Sequence, residues 1–494
     1  MKPDTDIIDT TQAFVIRGAE VIDGSGAPRF EADVVVRGGL IDAIVPPGSA
    51  STPQVLDGSG LILCPGFIDT HSHDDLLVLQ ATEPHPKLAQ GVCTVVTGNC
   101  GISLAPLLVE HPPAPLDLLD AEGAPRLADF RDYLARLDAT PLALNVVPLI
   151  GHSNLRLKHL ADLQRPADAA QVDAMRDEVS AALDAGGFGL STGVYYPPAR
   201  AATTAELIGV SAALQGRPGA VLAMHLRDEA DHIDAAIAEA LEVGASNGAT
   251  LVLSHHKVMG RRNHGRTRQT LQAIETAAGL QSVCIDCYPY AASSTMLRLD
   301  RIADSDDVLI TTSVPHPEQG GRRLAAIAAD WGVPQSEAAQ RLMPGGAVYF
   351  ALAESDVERV LVHPLAMIGS DGLPHDRHPH PRLWGSFPRV LGHYSRERGL
   401  LPLESAVHKM TGLPARRFGL ADRGRVAVGQ AADLVLFDAA RVRDAASYEA
   451  PAQAPEGIHA VLVNGRLAQW QGRAVDRAAG RRLTRQRDAD KVAR

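Results

Sequence analysis

Pro65-Gly-Phe-Ile-Asp-Thr-His-Ser-His-Asp74 is the stretch from which the fold of this chain can be read. Leu61-Ile-Leu63 leads in as a short apolar run, Pro65-Gly66 punctuates it, and Phe67-Ile68 resumes an extended segment that ends in two histidines. Side chains on a strand alternate between faces, so Asp69, His71 and His73 are expected on one face. Two neutral imidazoles leaving one strand end on the same side can grip a metal ion. Two exposed polar residues in a loop would look the same in isolation, so the rest of the chain has to decide.

Outward from this stretch, apolar β-like runs alternate with helix-like segments, the pattern of a parallel sheet or barrel. Eight strands are expected, at 67–73, 93–100, 144–152, 187–194, 221–227, 250–257, 282–288 and 361–371. Helices are expected between them: Asp129–Leu137, Ala167–Leu183, Thr204–Leu214 with a capping box from Thr203 to Glu206, and Asp228–Val243 with acids in its first turn. Eight such units over this length fit a (β/α)8 TIM-like barrel. Phe14–Val45, Gly429–Asp438 and Ile458–Gly465 read as short Gly-punctuated strands, which suggests a small β-domain built from both termini. The expected organisation is residues 1–62 and 416–494 as the two parts of the β-domain, with 63–415 as the barrel. Residues 298–350 form an inserted subdomain over its mouth. Residues 1–12 are expected to be loosely held and the last twenty to be a solvated tail.

Composition narrows the class. A chain of 494 residues with 45% hydrophobic and 21% charged residues has ordinary globular content and room for a large enzyme domain with an appendage. Its net charge of -11 argues against nucleic acid or an anionic membrane as a main partner. No run reaches transmembrane length, and the start lacks a signal peptide's apolar core. Five cysteines do not make a disulfide framework, so a reducing cytoplasm is expected. Cys284-Ile-Asp-Cys287 has CxxC spacing but no second pair, and reads as core packing.

Active sites of such barrels lie at the C-terminal ends of the strands. Those ends carry His71-Ser-His73, Thr97-Gly-Asn-Cys100-Gly, Thr192-Gly-Val-Tyr-Tyr196, Met224-His225, Ser254-His-His-Lys257 and Ile368-Gly-Ser-Asp371. Metal-competent groups recurring at one register are hard to explain as core. Alternation on the sixth strand sends His255 and Lys257 into the mouth together and leaves His256 behind them. Cys100, as a thiolate, can bridge two cations. Asp371 can ligate metal and accept a proton.

With these residues in view, the chain resembles the amidohydrolase superfamily and, within it, the D-aminoacylases (N-acyl-D-amino-acid deacylases). The most specific stretches are Thr97-Gly-Asn-Cys-Gly101, Ser254-His-His-Lys257, Asp371-Gly-Leu-Pro-His375 and His380-Pro-Arg-Leu-Trp-Gly-Ser-Phe-Pro-Arg389. Many superfamily members bridge two metals with a carboxylated lysine on the fourth strand. This chain has no lysine between Lys158 and Lys257, and Cys100 stands in the place used by the D-aminoacylases instead. The resemblance implies a tight Zn2+ held by Cys100, His225 and His255, and a second, weaker site at His71, His73 and Asp371 with Cys100 reaching towards it. It makes Asp371 the base that deprotonates the hydrolytic water and hands the proton to the leaving amine, and Tyr196 the donor to the carbonyl oxygen. It assigns the α-carboxylate to Arg382 with Lys257, Tyr288 and Ser294 around it, and sets Tyr349 and Leu352 near the substrate's side chain. Apolar or neutral D-amino acids are then expected before D-Asp and D-Glu, although Arg298 and Arg301 are near in sequence. The alternatives are a dipeptidase or cyclic-amide hydrolase, or a non-catalytic scaffold on the same barrel, which should have lost ligands that are all present here.

Overall fold

The computed structural model describes residues 8–120 and 123–485. The start of the chain up to residue 7 and the outer end of the expected tail lie outside the described residues. Eight parallel strands form the barrel: Phe67–Asp69, Val92–Thr97, Asn145–Gly151, Gly189–Gly193, Val221–His225, Thr250–Leu253, Val283–Cys287 and Ala366–Ile368. Each is buried almost throughout, which is why they read in sequence as near-continuous apolar runs. The eighth strand closes on the first through Thr70 N–H to Ile368 O (3.4 Å) and Asp371 N–H to His71 O (2.8 Å). Inside the barrel Ile68, Val96, Leu149, Val221 and Val252 pack with Leu413 and Phe418, so the interior is a filled core.

A nine-stranded sheet carries Phe14–Val21, Phe30–Arg37, Leu40–Val45, Gln54–Asp57 and Ile62–Pro65 from one end of the chain and Leu434–Phe437 through Arg473–Ala474 from the other. The two ends join where Ile62–Pro65 runs antiparallel to Leu434–Phe437, pairing Pro65 with Leu434. Gly66 follows at once: a Cβ there would meet Cys93 Sγ at 2.2 Å, so only glycine lets the chain turn from sheet into barrel at this spot. Between the seventh and eighth barrel strands, Ser293–Met296, Asp307–Ser313 and Gly345–Phe350 make a three-stranded antiparallel sheet, with helices Leu324–Trp331 and Gln335–Leu342 packed beside it.

Four expectations are corrected. The eighth strand was placed over 361–371, but Leu361 and Val362 close the helix Glu354–Val362, because Pro364 forces His363 into an extended conformation. The helix expected from Asp228 starts at Ile233, since the Asp228 carboxylate accepts the N–H groups of Ala230 (2.7 Å) and His232 (3.0 Å) and builds a turn first. Thr203 caps its helix by accepting the Glu206 N–H (3.1 Å), but Glu206 does not return the bond. Its carboxylate goes to His152 Nε2 (3.1 Å), Arg156 and the Ala167 N–H (3.0 Å). The described part of the expected solvated tail is packed: the N–H of Leu483 bonds Val146 O, and Ala479 and Leu483 are buried. Its apolar residues find a place against the third barrel strand, which the Arg and Asp content of the segment concealed.

Candidate active site

The first barrel strand stops at Asp69, and with it the alternation. Asp69 therefore parts from His71 and His73, which corrects the expected shared face. Its carboxylate accepts from the Ser370 N–H (2.8 Å) and from buried Lys87 (2.8 Å), and so ties the end of the first strand to that of the eighth. His71 and His73 turn the other way, towards Cys100 and Asp371.

Cys100 Sγ lies 3.2 Å from His71 Nε2, 3.4 Å from His255 Nε2 and 3.4 Å from His225 Nδ1. Asp371 Oδ1 lies 3.3 Å from His73 Nε2 and 3.6 Å from His71 Nε2. The donors fall into two buried sets, His71-His73-Cys100-Asp371 and Cys100-His225-His255, which share the sulfur. Bond lengths of about 2.0–2.3 Å to zinc give tetrahedral edges of roughly 3.3–3.8 Å, close to most of these separations.

The rear nitrogens of the rings also fit a metal centre. Glu229 Oε1 stands 3.1 Å from His255 Nδ1 and 3.7 Å from His225 Nε2, and Asp286 Oδ1 stands 3.2 Å from His71 Nδ1. A carboxylate close behind three of the four rings favours the tautomer that leaves the other nitrogen free to ligate, while His73 Nδ1 has no partner among the described residues. Neither Glu229 nor Asp286 was singled out from the sequence. Asp286 sits between the two cysteines of the CxxC spacing, and Glu229 four residues beyond the fifth strand, where an acid reads as a helix start. Cys284 and Cys287 themselves pack in the core as expected.

Backbone strain gathers at the same place. Five described non-glycine residues have positive φ, and three of them are Cys100 (55°), His255 (35°) and Asp371 (49°). Such conformations cost roughly 1–3 kcal/mol each and persist only where the surroundings enforce them. Here the Asp286 carboxylate takes the His255 N–H at 2.7 Å, and His71 O takes the Asp371 N–H at 2.8 Å.

The electrostatics call for a cation. Burial works against a Cys100 thiolate, yet the imidazoles of His71, His255 and His225 hold the thiol well below its ordinary range. Burial likewise works against an ionised Asp371, and Arg382 and His255 hold it well below the usual carboxylate range. His73 is pushed up to about 9, against its burial, by Asp371 and Cys100. The negative sulfur and carboxylate favour the protonated rings of His71, His73 and His255, whereas burial keeps the pKa of His225 lowered.

The remaining predicted residues fall as follows. Tyr196 stacks edge-on to His225 (4.8 Å between centroids), and its hydroxyl is 3.3 Å from Thr295 Oγ1. Arg382 is buried over the Tyr288 ring (4.7 Å), with Nη1 2.8 Å from Asp371 Oδ2 and Nη2 donating to Ser294 O (3.2 Å). The Tyr288 hydroxyl, Ser294 Oγ and Arg382 Nε are buried without partners. Lys257 donates to Glu229 at 2.5 Å, and His256 sits behind it against Thr270 (2.9 Å), as alternation predicted. Tyr196, Lys257, Tyr288, Ser294 and Asp371 line one cavity of about 280 Å3. Leu352 lines a neighbouring cavity with Lys257 and Tyr288. Tyr349 is fully buried, and its hydroxyl accepts the Arg298 N–H (2.7 Å) and donates to Met296 O (3.1 Å).

Comparison with known proteins adds to this geometry. Residues 54–469 match the pattern of the amidohydrolase family. The chain is 52% identical over 459 residues to an N-acyl-D-aspartate deacylase of Alcaligenes xylosoxydans xylosoxydans, covering 93% of this chain and 92% of that one. A solved D-aminoacylase, described as having a binuclear metal centre with one-metal activation and second-metal attenuation, superposes with a TM-score of 0.93 at 49% identity, over 96% of this chain and 99% of that one. The N-acyl-D-glutamate deacylase of Bordetella bronchiseptica, solved with zinc and a phosphonate mimic of the tetrahedral intermediate, superposes with a TM-score of 0.91 at 46% identity, over 95% and 99%.

Proposed function

The chain belongs to the amidohydrolase family, and from that premise we propose that it hydrolyses N-acyl-D-amino acids to a carboxylic acid and a free D-amino acid, with zinc as its metal. The observation that carries this reading is the pair of donor sets sharing Cys100, beside a cavity whose Tyr288 and Ser294 hold unpartnered polar atoms, with Arg382 behind them against Tyr288 and Asp371. Thiolate and imidazole donors suit zinc, and one tight site at Cys100, His225 and His255 with a weaker one at His71, His73 and Asp371 is the arrangement we favour. The five cysteines are free and buried, which suits a reducing cytoplasm.

A divalent cation in such a site acidifies water and polarises a carbonyl. The chain's own groups do the rest. Asp371 Oδ1 takes a proton from the attacking water and delivers it to the leaving nitrogen. The Tyr196 hydroxyl donates to the carbonyl oxygen as it becomes an oxyanion, a contact worth about 3 kcal/mol. Arg382 and Ser294, with Lys257 and Tyr288, receive the α-carboxylate and so choose the enantiomer. A cyclic amide offers these donors no carboxylate.

For the substrate's side chain we put apolar or neutral groups first, with Leu352 and Tyr349 as neighbours. A second reading has one observation in its favour. Arg301 is buried, forms no ion pair among the described residues, and donates to the Tyr195 hydroxyl (2.9 Å) and Met259 Sδ (3.4 Å), two residues that line the catalytic cavity. A D-aspartyl or D-glutamyl side chain would supply the missing anion.

The test is kcat/KM of the zinc-loaded protein on paired N-acetyl-D- and N-acetyl-L-amino acids, with leucine, methionine, aspartate and glutamate side chains. Cleavage confined to the D series is expected, and cleavage of L substrates at equal rate would defeat the reading. The order of the four D substrates decides between the two side-chain readings.

A further inference from the structure

Two cavities meet at the groups assigned to the reaction. The smaller, of about 280 Å3, contains Lys257, Tyr288 and Ser294, three of the donors given above to the α-carboxylate. The larger, of about 850 Å3, contains none of these except Ser294. Tyr196, Ser294, Thr295 and Asp371 line both. A substrate whose amide carbonyl lies between Tyr196 and Asp371, with its carboxylate among the donors of the smaller space and its side chain towards Leu352 in the adjoining cavity, has its acyl group left to fill the larger one.

We propose that the larger cavity is an acyl-chain subsite, so that the preferred substrates carry a straight, apolar acyl chain of medium length; the proposal rests on the deacylase reading above. The walls suit this ligand. Ile102 and Leu118 come from the segment after the second barrel strand, and Met296 and Leu297 from the inserted sheet opposite. At the rim Val314 and Met343 are 73% and 40% exposed, so the apolar track continues outward to solvent where a longer chain would emerge. Among the described residues no lysine or arginine lines the space, whereas Asp117, Asp371 and Asp376 do. Away from His73 at the inner end, an acyl group ending in a carboxylate therefore meets acidic side chains, while a methyl-ended chain meets hydrocarbon. Part of this space is open to solvent, and the walls from Ile102 to Val314 still extend well past the reach of an acetyl methyl.

The experiment measures kcat/KM of the zinc-loaded enzyme on N-acetyl-, N-butyryl-, N-octanoyl- and N-succinyl-D-alanine, and on N-acetyl-D-2-aminooctanoate. Burying a methylene is worth up to about fourfold, so the octanoyl substrate should exceed the acetyl one by at least about tenfold. The succinyl substrate should fall below the butyryl one. Leu118→Trp and, as a second variant from the opposite wall, Met296→Trp should each lower the octanoyl-to-acetyl ratio at least about fivefold by filling the space. Equal values for acetyl and octanoyl substrates overturn the proposal while leaving the deacylase reading standing. The same holds if the tryptophan variants leave that ratio unmoved and lower the 2-aminooctanoate value instead, which would make this the amino-acid side-chain pocket. Failure to cleave any member of the series defeats the deacylase reading and the subsite with it.

Discussion

Glu229 stands behind both rings of the Cys100-His225-His255 set, proposed above as the tight site, and Lys257 in turn holds Glu229. Glu229→Gln keeps the size and removes the charge that orients His255, so it should weaken zinc binding by about 10–100-fold, as loss of a ligand's outer partner typically does. Competition with a chromogenic chelator reads this directly, and an unchanged affinity would reduce Glu229 to a partner of Lys257 alone. Cys100→Ala removes the donor that both sets share and should leave the dialysed protein without tightly bound metal or activity. A zinc-loaded, active variant would end the assignment. Arg382→Lys keeps charge but loses the planar fork. It should cost about 30- to several-thousand-fold in kcat/KM on an N-acyl-D-amino acid and much less on its carboxamide, which offers no anion. Equal losses on both would make Arg382 a support for Asp371, which it touches, and nothing more. The two donor clusters were legible because His, Cys and Asp at the ends of apolar strands have few other uses. Glu229 was not, because an acid past a strand end is common, and only the folded chain shows which ring it faces.

At the scale of elements, strands buried on both faces announced themselves as apolar runs, and every barrel strand was found within a few residues. Helix boundaries depended on single side chains with more than one available partner. Glu206 is the clearest case. Its N–H goes to the Thr203 cap, but its carboxylate leaves the helix to join His152 and Arg156 of the preceding αβ unit. Against the effect of burial, those partners lower its pKa to about 2. A carboxyl whose folded pKa lies below the unfolded value of about 4.3 adds stability that is complete above that value and disappears as pH falls through the folded one. Glu206→Gln leaves the buried Arg156 charge unanswered and should cost about 3–5 kcal/mol at neutral pH. Denaturant unfolding across pH should show the gap between wild type and variant narrowing between about pH 5 and pH 2. A gap constant over that range would mean the ion pair contributes nothing beyond packing. Gly193 gives a second test at this scale, since a Cβ there would lie 2.0 Å from Cys100 O. Gly193→Ala must push the strained Cys100 backbone aside, and should lose metal affinity out of proportion to its change in Tm.

For the molecule as a whole, the proposed ligands come from the first, second, fifth, sixth and eighth strands or the turns just after them. The same turns close the barrel, since Asp371 N–H bonds His71 O where the eighth strand meets the first. A cation bound there ties together both sides of the closure and a backbone that is strained at three ligands. Metal binding should therefore count as folding free energy. By mass action, a free metal concentration a hundred times Kd adds about 2.7 kcal/mol. At roughly 2–4 °C per kcal/mol, or less for a chain this long, that is a Tm shift of several degrees. Chelator-treated protein should melt lower and recover on zinc addition. The two ligand sets make the test sharper than a simple loss and gain. Asp371→Ala leaves Cys100, His225 and His255 intact, so zinc should still raise its Tm by most of the wild-type amount while activity falls by about 10²-fold or more. Cys100→Ala breaks both sets, and zinc should raise its Tm little or not at all. If zinc stabilised the two variants equally, the shared sulfur would not be the centre of the site, and the division into a tight and a weak set would have to be redrawn.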